Sequence, residues 1–353
     1  MKQTIQRWLI AATLSAAATA TVAQVTPAGG YTPPDDTPAF KVGSTIFADY
    51  TTGDRINDAF NVSRAYINVT GNLNHLIAFR VTPDITRESG TGSSLNGSLT
   101  FRLKYAYGQL NLDDWTTKGS WVRFGIQQLP YLDYTESIYR YRWQGTLFPE
   151  REGYITSSDA GLSGHWNFPG GYGDVHGGFF NGEGYSRAEA NDEKGFQIRG
   201  SVRPFPLGGI WKGLRLTGFA VQDKYQQDAD RQRFIGQATF EHPRGNAGID
   251  ILQTRDQTTA TAVTTEGHGW SVWATPKLFN PSWELLLRHD DMKPNKGTDQ
   301  HRKRNIAGLA YWVPNLQKVT AAVMLDYDSY RQDGFTPARP TDTRYGLKML
   351  INF

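Results

Sequence analysis

From Phe40 to the C-terminus the chain repeats short segments in which every second residue is apolar or aromatic. That two-residue period is the pattern of a strand with one greasy and one wet face, and amphipathic helix spacing is almost missing. In His75–Val81, Ile77, Phe79 and Val81 share one face, opposite Ala78 and Arg80. Lys318–Tyr327 repeats the pattern, with Val319, Val323, Leu325 and Tyr327 opposite Thr320 and Asp326. In the last segment Tyr345, Leu347, Met349, Ile351 and Phe353 face one way, and Arg344, Lys348 and Asn352 the other. The pattern predicts sixteen strands, at 40–50, 60–70, 75–83, 99–111, 119–130, 159–167, 173–181, 195–203, 214–223, 232–241, 246–255, 266–275, 282–290, 303–313, 318–328 and 343–353. Most have the length, about nine to eleven residues, that crosses hydrocarbon at a tilt.

The connections alternate in kind. Those at 71–74, 112–118, 168–172, 204–213, 242–245, 276–281 and 314–317 are short or turn-like. The interleaved ones, at 51–59, 84–98, 131–158, 182–194, 224–231, 256–265, 291–302 and 329–342, are mostly longer and polar. Short turns at one end and long loops at the other predict an all-β, 16-stranded antiparallel transmembrane barrel, with both termini on the short-turn side. A soluble sandwich or propeller also has period-two strands, but neither requires alternating connection lengths. No repeated blade motif of about 40–50 residues is visible.

Composition narrows the picture. Apolar residues make up 39% of the 353, below the usual globular share of about 45–50%. Mean hydropathy is −0.51. After the first two dozen residues there is no apolar run of about 18, which excludes a helical membrane protein. Yet aromatics reach 13% and glycines number 37. That combination fits a barrel greasy outside and wet inside. Zero cysteines exclude disulfides, thiolate metal sites and a Cys nucleophile. The 37 Lys+Arg nearly balance the 34 Asp+Glu, so bulk charge makes no case for nucleic acid. Residues 1–23 read as a signal peptide: Lys2 and Arg7, then an apolar stretch from Trp8 to Ala18, then small-residue sites ending at Ala20 and Ala23. Cleavage is expected after Ala23. An N-terminal anchor is the other reading, against which the apolar run is short. Residues 24–39 form a Pro-rich periplasmic lead-in, and 40–353 form the barrel.

The faces carry the candidate chemistry. Outward positions hold Ile77, Phe79, Val122, Phe124, Ile126, Leu214, Leu216, Phe234, Phe240, Leu285, Leu287 and Leu309. Phe40, Tyr50, Trp166, Trp270, Trp283, Tyr311, Tyr327 and Phe353 stand near segment ends, as interfacial girdles do. By parity the inward face carries Lys41, Arg64, Arg80, Arg102, Lys104, Arg123, Arg199, Arg203, Arg215, Arg233, Arg288, Arg344 and Lys348. Against them stand fewer acids: Asp49, Glu241, Asp250, Glu284, Asp290, Asp326 and Asp328. A basic, water-filled lumen with low-dielectric walls concentrates anions, and arginine forks suit carboxylate or phosphate oxygens. Arg64, Arg80, Arg102, Lys104, Arg123, Arg199, Arg233 and Arg288 are therefore the candidate pore-lining, anion-binding residues. The alternative is that arginines pair with lumen acids and brace the wall.

The longest loop, 131–158, follows the fifth strand and is rich in Tyr, Trp and Phe, which predicts that it folds back into the barrel. Asp133, Glu136, Arg140, Arg142 and Arg151 are the candidate constriction charges, with Glu150 and Glu152 beside them. A surface lid or subunit contact is the other reading of that loop.

At motif level the chain resembles a known family. Ser63-Arg-Ala-Tyr-Ile-Asn-Val-Thr-Gly, followed by Ala78-Phe-Arg-Val-Thr-Pro-Asp84, resembles the early strands of the phosphate-selective porin O and P family of bacterial outer membranes. Trp121-Val-Arg-Phe-Gly-Ile-Gln-Gln-Leu-Pro and Ser158-Asp-Ala-Gly-Leu-Ser-Gly resemble its stretch around the constricting loop. The resemblance implies a homotrimer of channels in the bacterial outer membrane and passive uptake of small hydrophilic solutes, anions such as phosphate among them. It departs in one respect: the 131–158 loop has no lysine, and the family's phosphate-binding residues do not match one by one.

Other function classes stay open on the sequence. A plugged structural or adhesin barrel would not conduct. An outer-membrane hydrolase would need a catalytic cluster, and none of His75, His165, His176, His242, His268, His289 or His301 lies in a nucleophile motif. No enzyme activity, metal or cofactor is expected. His289-Asp290-Asp291 is read as the solvated rim of a strand.

Overall fold

The computed structural model describes residues 38–353 except Ser89, Thr91 and Ala190. The expected signal peptide, and nearly all of the lead-in, lie outside the described residues. Among those described, sixteen strands run in order: β1 (Ala39–Gly53), β2 (Ala59–Asn72), β3 (Ile77–Arg87), β4 (Leu99–Asn111), β5 (Trp121–Gln128), β6 (Ser158–Asn167), β7 (Gly173–Phe180), β8 (Gly195–Val202), β9 (Leu214–Gln226), β10 (Ala229–His242), β11 (Gly245–Asp256), β12 (Thr265–Pro276), β13 (Trp283–Lys293), β14 (His301–Trp312), β15 (Thr320–Asp333) and β16 (Arg339–Asn352). Each pairs antiparallel with its sequence neighbours, and β1 meets β16 to close the barrel. Closure runs from Thr45↔Asn352 to Gly53↔Arg344, and Ser44 and Phe353 exchange backbone bonds of 2.8 and 3.0 Å. A closed sheet leaves no unpaired edge, the condition for crossing hydrocarbon without water. No helix among the described residues is long and apolar enough to cross a membrane.

Several strands run further at the long-loop end than the sequence predicts, whereas β5, expected over 119–130, spans only Trp121–Gln128 and gives way to the infolded loop. β3 runs to Arg87, β9 to Gln226, β13 to Lys293 and β15 to Asp333. Lipid on one face imposes the apolar alternation. Beyond the hydrocarbon both faces are wet, so the pattern fades while the hydrogen-bond ladder continues.

The outward face is apolar and exposed, with Phe124, Phe234, Leu216, Leu287 and Leu325 among its residues. Phe40, Trp166, Trp283 and Phe353 are exposed near the short turns, and Trp270 and Tyr327 lie nearer the long loops. Girdle rings contact one another across strands: Tyr50 lies 4.7 Å from Phe60, and Trp283 4.9 Å from Tyr311. Cross-strand aromatic pairs of this kind are ordinary sheet stabilisers.

The apolar core lies inside the barrel. It forms where the 131–158 loop packs on the wall, joining Leu132, Ile138, Tyr139, Trp143 and Phe148 to Phe219, Ile235, Leu252, Trp273, Leu286 and Met292.

Candidate channel constriction

The loop carries two short helices, α1 (Leu132–Tyr139) and α2 (Phe148–Arg151). Arg140 ends α1 in the left-handed conformation (φ 63°), its backbone N–H donating to Glu136 O. Pro149 opens α2, where a missing N–H costs least. The aromatics decide where the loop sits. Tyr131 stacks on Phe219 at 5.3 Å and donates its hydroxyl to Asp250 at 2.7 Å. Tyr139 meets Trp273 edge-on at 5.1 Å, and Tyr141 and Trp143 both meet Trp312 edge-on. Glycines on the wall make the seats. A Cβ at Gly269 would come within 2.7 Å of Phe148, and one at Gly248 within 2.6 Å of the Trp273 ring. Truncating such buried aromatics costs about 3–5 kcal/mol each.

Polar bonds lock this packing. Arg140 donates to both oxygens of Glu284 at 2.7 and 2.8 Å, and Gln144 to Asp326 at 3.0 Å. Asn246 donates to Ile138 O at 2.8 Å. Three wall arginines reach loop carbonyls: Arg199 to Pro130 O at 2.9 Å, Arg233 to Tyr154 O at 3.1 Å and Arg288 to Thr146 O at 2.9 Å. The loop is thereby fixed to the β8–β15 wall.

The remaining wall, β1–β5, lies across from it, and here the inward cations differ. Arg64 and Arg102 share Asp84 at 2.6 and 3.4 Å. Arg80 instead bonds Asn68 and Thr82 and lies over Tyr105, 4.3 Å from the ring centroid. Arg123 bonds Gln109 and Gln128 and lies 3.8 Å over Trp121. Lys104 bonds the Tyr66 hydroxyl at 3.2 Å and lies 4.6 Å over that ring. Among the described residues, none of these three has a carboxylate within 4.0 Å. Lys104 is the extra residue of a bulge, since Thr82 pairs with Tyr105 and Pro83 with Leu103. A bulge re-aims side chains, and here Lys104 and Tyr105 are both buried inside.

On the loop, Asp133 is buried, and its charged neighbours are Arg80, Arg123, Lys104 and Arg199. Burial raises its carboxyl above the usual range, against the pull of those cations. Arg142 is clasped by Glu136 and Glu150. Burial raises Glu136, whereas Arg142 overcomes burial to hold Glu150 low. Arg151 bonds Gln144 at 3.0 Å and lies 3.6 Å from Asp328. Burial, with Arg288 and Arg304 nearby, brings it down to about 10.

The sequence candidates thus separate. Arg80, Lys104 and Arg123 gather on one wall with Arg64 and Arg102 beside them. Arg199, Arg233 and Arg288 are bound to Asp174, Asp256 and Asp290 under the loop. Arg140 and Arg151 turn to the wall behind the loop. The large basic excess expected inside is corrected. Asp159, Asp174 and Asp223 occupy inward positions of the predicted strands and were missed, although parity alone finds them. Asp84 and Asp256 lie on the strand extensions. Arg231, Arg302 and Arg304 add cations, each paired with an acid. Arg203 is a further correction: it lies in the turn after β8 and donates to Lys212 O. His289-Asp290-Asp291 is split by the pleat, with Asp290 inward on Arg288, His289 on Asn305 and Asp291 on His301. Ser163 contacts His176, but Asp174 serves His165 and Arg199 instead.

A closed sixteen-stranded barrel with an infolded third long loop is the architecture of an outer-membrane channel. The sequence matches the model of the phosphate-selective porin O and P family over residues 40–276, and the chain belongs to that family. It is an outer-membrane porin. The fold is similar to the anion-selective porin from Comamonas acidovorans, at 12% identity, TM-score 0.62, and coverage of 90% of this chain and 100% of that one. It is similar to the trimer form of OmpT from Vibrio cholerae, at 12% identity, TM-score 0.60, and coverage of 90% and 100%. It is also similar to the outer membrane channel DcaP of Acinetobacter baumannii, at 12% identity, TM-score 0.59, and coverage of 92% and 100%. No curated protein sequence matches the chain.

Proposed function

We propose that this porin passes small hydrophilic solutes with a preference for anions, as a homotrimer delivered to the outer membrane by a cleaved signal peptide at 1–23. One observation carries the preference. Arg80, Lys104 and Arg123 line the wall across from the loop without a carboxylate partner, while the arginines behind the loop are neutralised. Unbalanced positive charge in a narrow, low-dielectric passage raises the local anion concentration. Membership of the porin O and P family and the likeness to the anion-selective Comamonas porin point the same way. The trimer form of the Vibrio OmpT structure supports the assembly. The test is the reversal potential of refolded protein in a planar bilayer under a KCl gradient. Chloride favoured over potassium is expected. Potassium favoured would overturn the anion preference, and a folded barrel that does not conduct would make it a plugged structure.

A further inference from the structure

Between α1 and the wall formed by β1–β4 and β14–β16 lies a pocket that opens onto the lumen, so a solute in the channel can enter it without the wall moving. Much of its lining is apolar or aromatic, with Phe47, Tyr66, Tyr105, Trp143, Trp312 and Leu350. Into the same space face Arg80 and Lys104, while Arg140 and Arg142 are already bound to Glu284, Glu136 and Glu150. We infer that this cavity takes organic carboxylates with an aromatic or branched apolar body, in preference to inorganic phosphate. The inference rests on the anion-channel reading and names the solute class for it.

Three features support it. Phosphate is compact, doubly charged and strongly hydrated, and it is held by dense arrays of charged donors and backbone N–H groups. This cavity offers two cations that no carboxylate contacts directly, with Glu136 and Asp133 opposing them at longer range, and broad ring faces on which a phosphate gains little and an apolar body sheds its hydration. Arg80 and Lys104 already lie against tyrosine rings, so their charge is presented beside aromatic surface. The Trp143 indole N–H is buried with no acceptor, and a neutral ring donor suits a carboxylate oxygen. The loop itself contributes no lysine.

The experiment compares block of single-channel KCl current by benzoate, acetate and phosphate added at matched ionic strength. Benzoate is expected to half-block at a concentration at least about tenfold below acetate and phosphate. Trp143→Phe, which keeps an aromatic ring and removes the donor, is expected to weaken benzoate block severalfold while acetate block changes little. Phe47→Ser, checked for folding by heat-dependent gel mobility, is expected to narrow the gap between benzoate and acetate. If a chloride-selective channel is blocked best by phosphate, or equally by benzoate and acetate, the inference is wrong and the anion channel stands. If the channel favours potassium or is silent, both fall together.

Discussion

Two groups of inward cations occupy equivalent positions on the pleat and have opposite fates. Arg80, Lys104 and Arg123, on β3–β5, lie against rings and amide side chains with no carboxylate. Arg199, Arg233 and Arg288, on β8, β10 and β13, each hold one aspartate and one carbonyl of the loop. The direction a side chain points is set by parity, but its role is set by what lies within reach of it. A neighbouring aspartate turns an arginine into a clamp for the loop. Its absence leaves a charge for the solute. Buried ion pairs are weak evidence of stability in themselves, because desolvation offsets much of the attraction. Here they fix the position of the constriction.

The largest break in this contrast comes from removing the loop. Excising residues 133–155 with a short linker strips the obstruction and opens a wide aqueous lumen. Single-channel conductance is expected to rise severalfold, and the chloride preference to fall toward unity, because salt screening of the wall charges across a wide pore outweighs the loss of the loop's acids. Unchanged conductance would place the narrow point elsewhere.

The clamps come next. Arg288→Met leaves Asp290, 1% exposed, without its partner, and breaking a buried pair this way costs about 3–5 kcal/mol. The heat-induced gel-mobility transition is expected to drop sharply, and open-channel current to become noisier as the loop loosens. Arg123→Met removes an equally buried arginine whose hydrogen bonds go to neutral amides, so no charge is left unpaired and each buried amide oxygen that loses its donor costs about 1–3 kcal/mol. Its transition is expected to move less. An equal drop in both would dissolve the distinction between the walls.

Selectivity gives the reverse ranking. Changing Arg80, Lys104 and Arg123 together to Gln is expected to bring the chloride-to-potassium permeability ratio down to one or below. Arg288→Met is expected to leave that ratio nearly intact. A triple variant with the same reversal potential as wild type would remove the β3–β5 wall from the mechanism.

The barrel was legible in the sequence because lipid writes itself on alternate residues, and the short-turn, long-loop rhythm needs no knowledge of contacts. The infolding of the loop was legible too, since Tyr131, Tyr139, Tyr141, Trp143 and Phe148 could not remain in water. The division of the cations was hidden. It depends on pairs remote in sequence, such as Arg140 with Glu284, 144 residues apart, and Arg302 with Glu152. The bulge at Lys104 also breaks simple counting: beyond it Tyr105, Tyr107, Gln109 and Asn111 face inward, where the parity of the residues before it sends them out. Asp84 was lost for another reason. It sits where β3 continues past the end of its apolar pattern, and Arg64 and Arg102 share it.

The smallest effect is a pH dependence centred on Asp133. Its carboxyl is raised by burial, so it takes up a proton at a higher pH than an exposed aspartate. While ionised it opposes Arg80, Arg123 and Lys104. Once protonated it leaves their charge uncompensated. Lowering the pH from 7 toward 5 is therefore expected to increase chloride preference, by less than about twofold for one charge among several. Glu136 and Glu152 are raised by burial as well and contribute to the same drift. Asp133→Asn separates its share: the variant is expected to start at a higher chloride preference at pH 7 and to gain less on acidification. Reversal potentials of the two proteins across that range decide it. Parallel curves would mean that Asp133 is electrically silent, and the drift would then rest on Glu136 and Glu152.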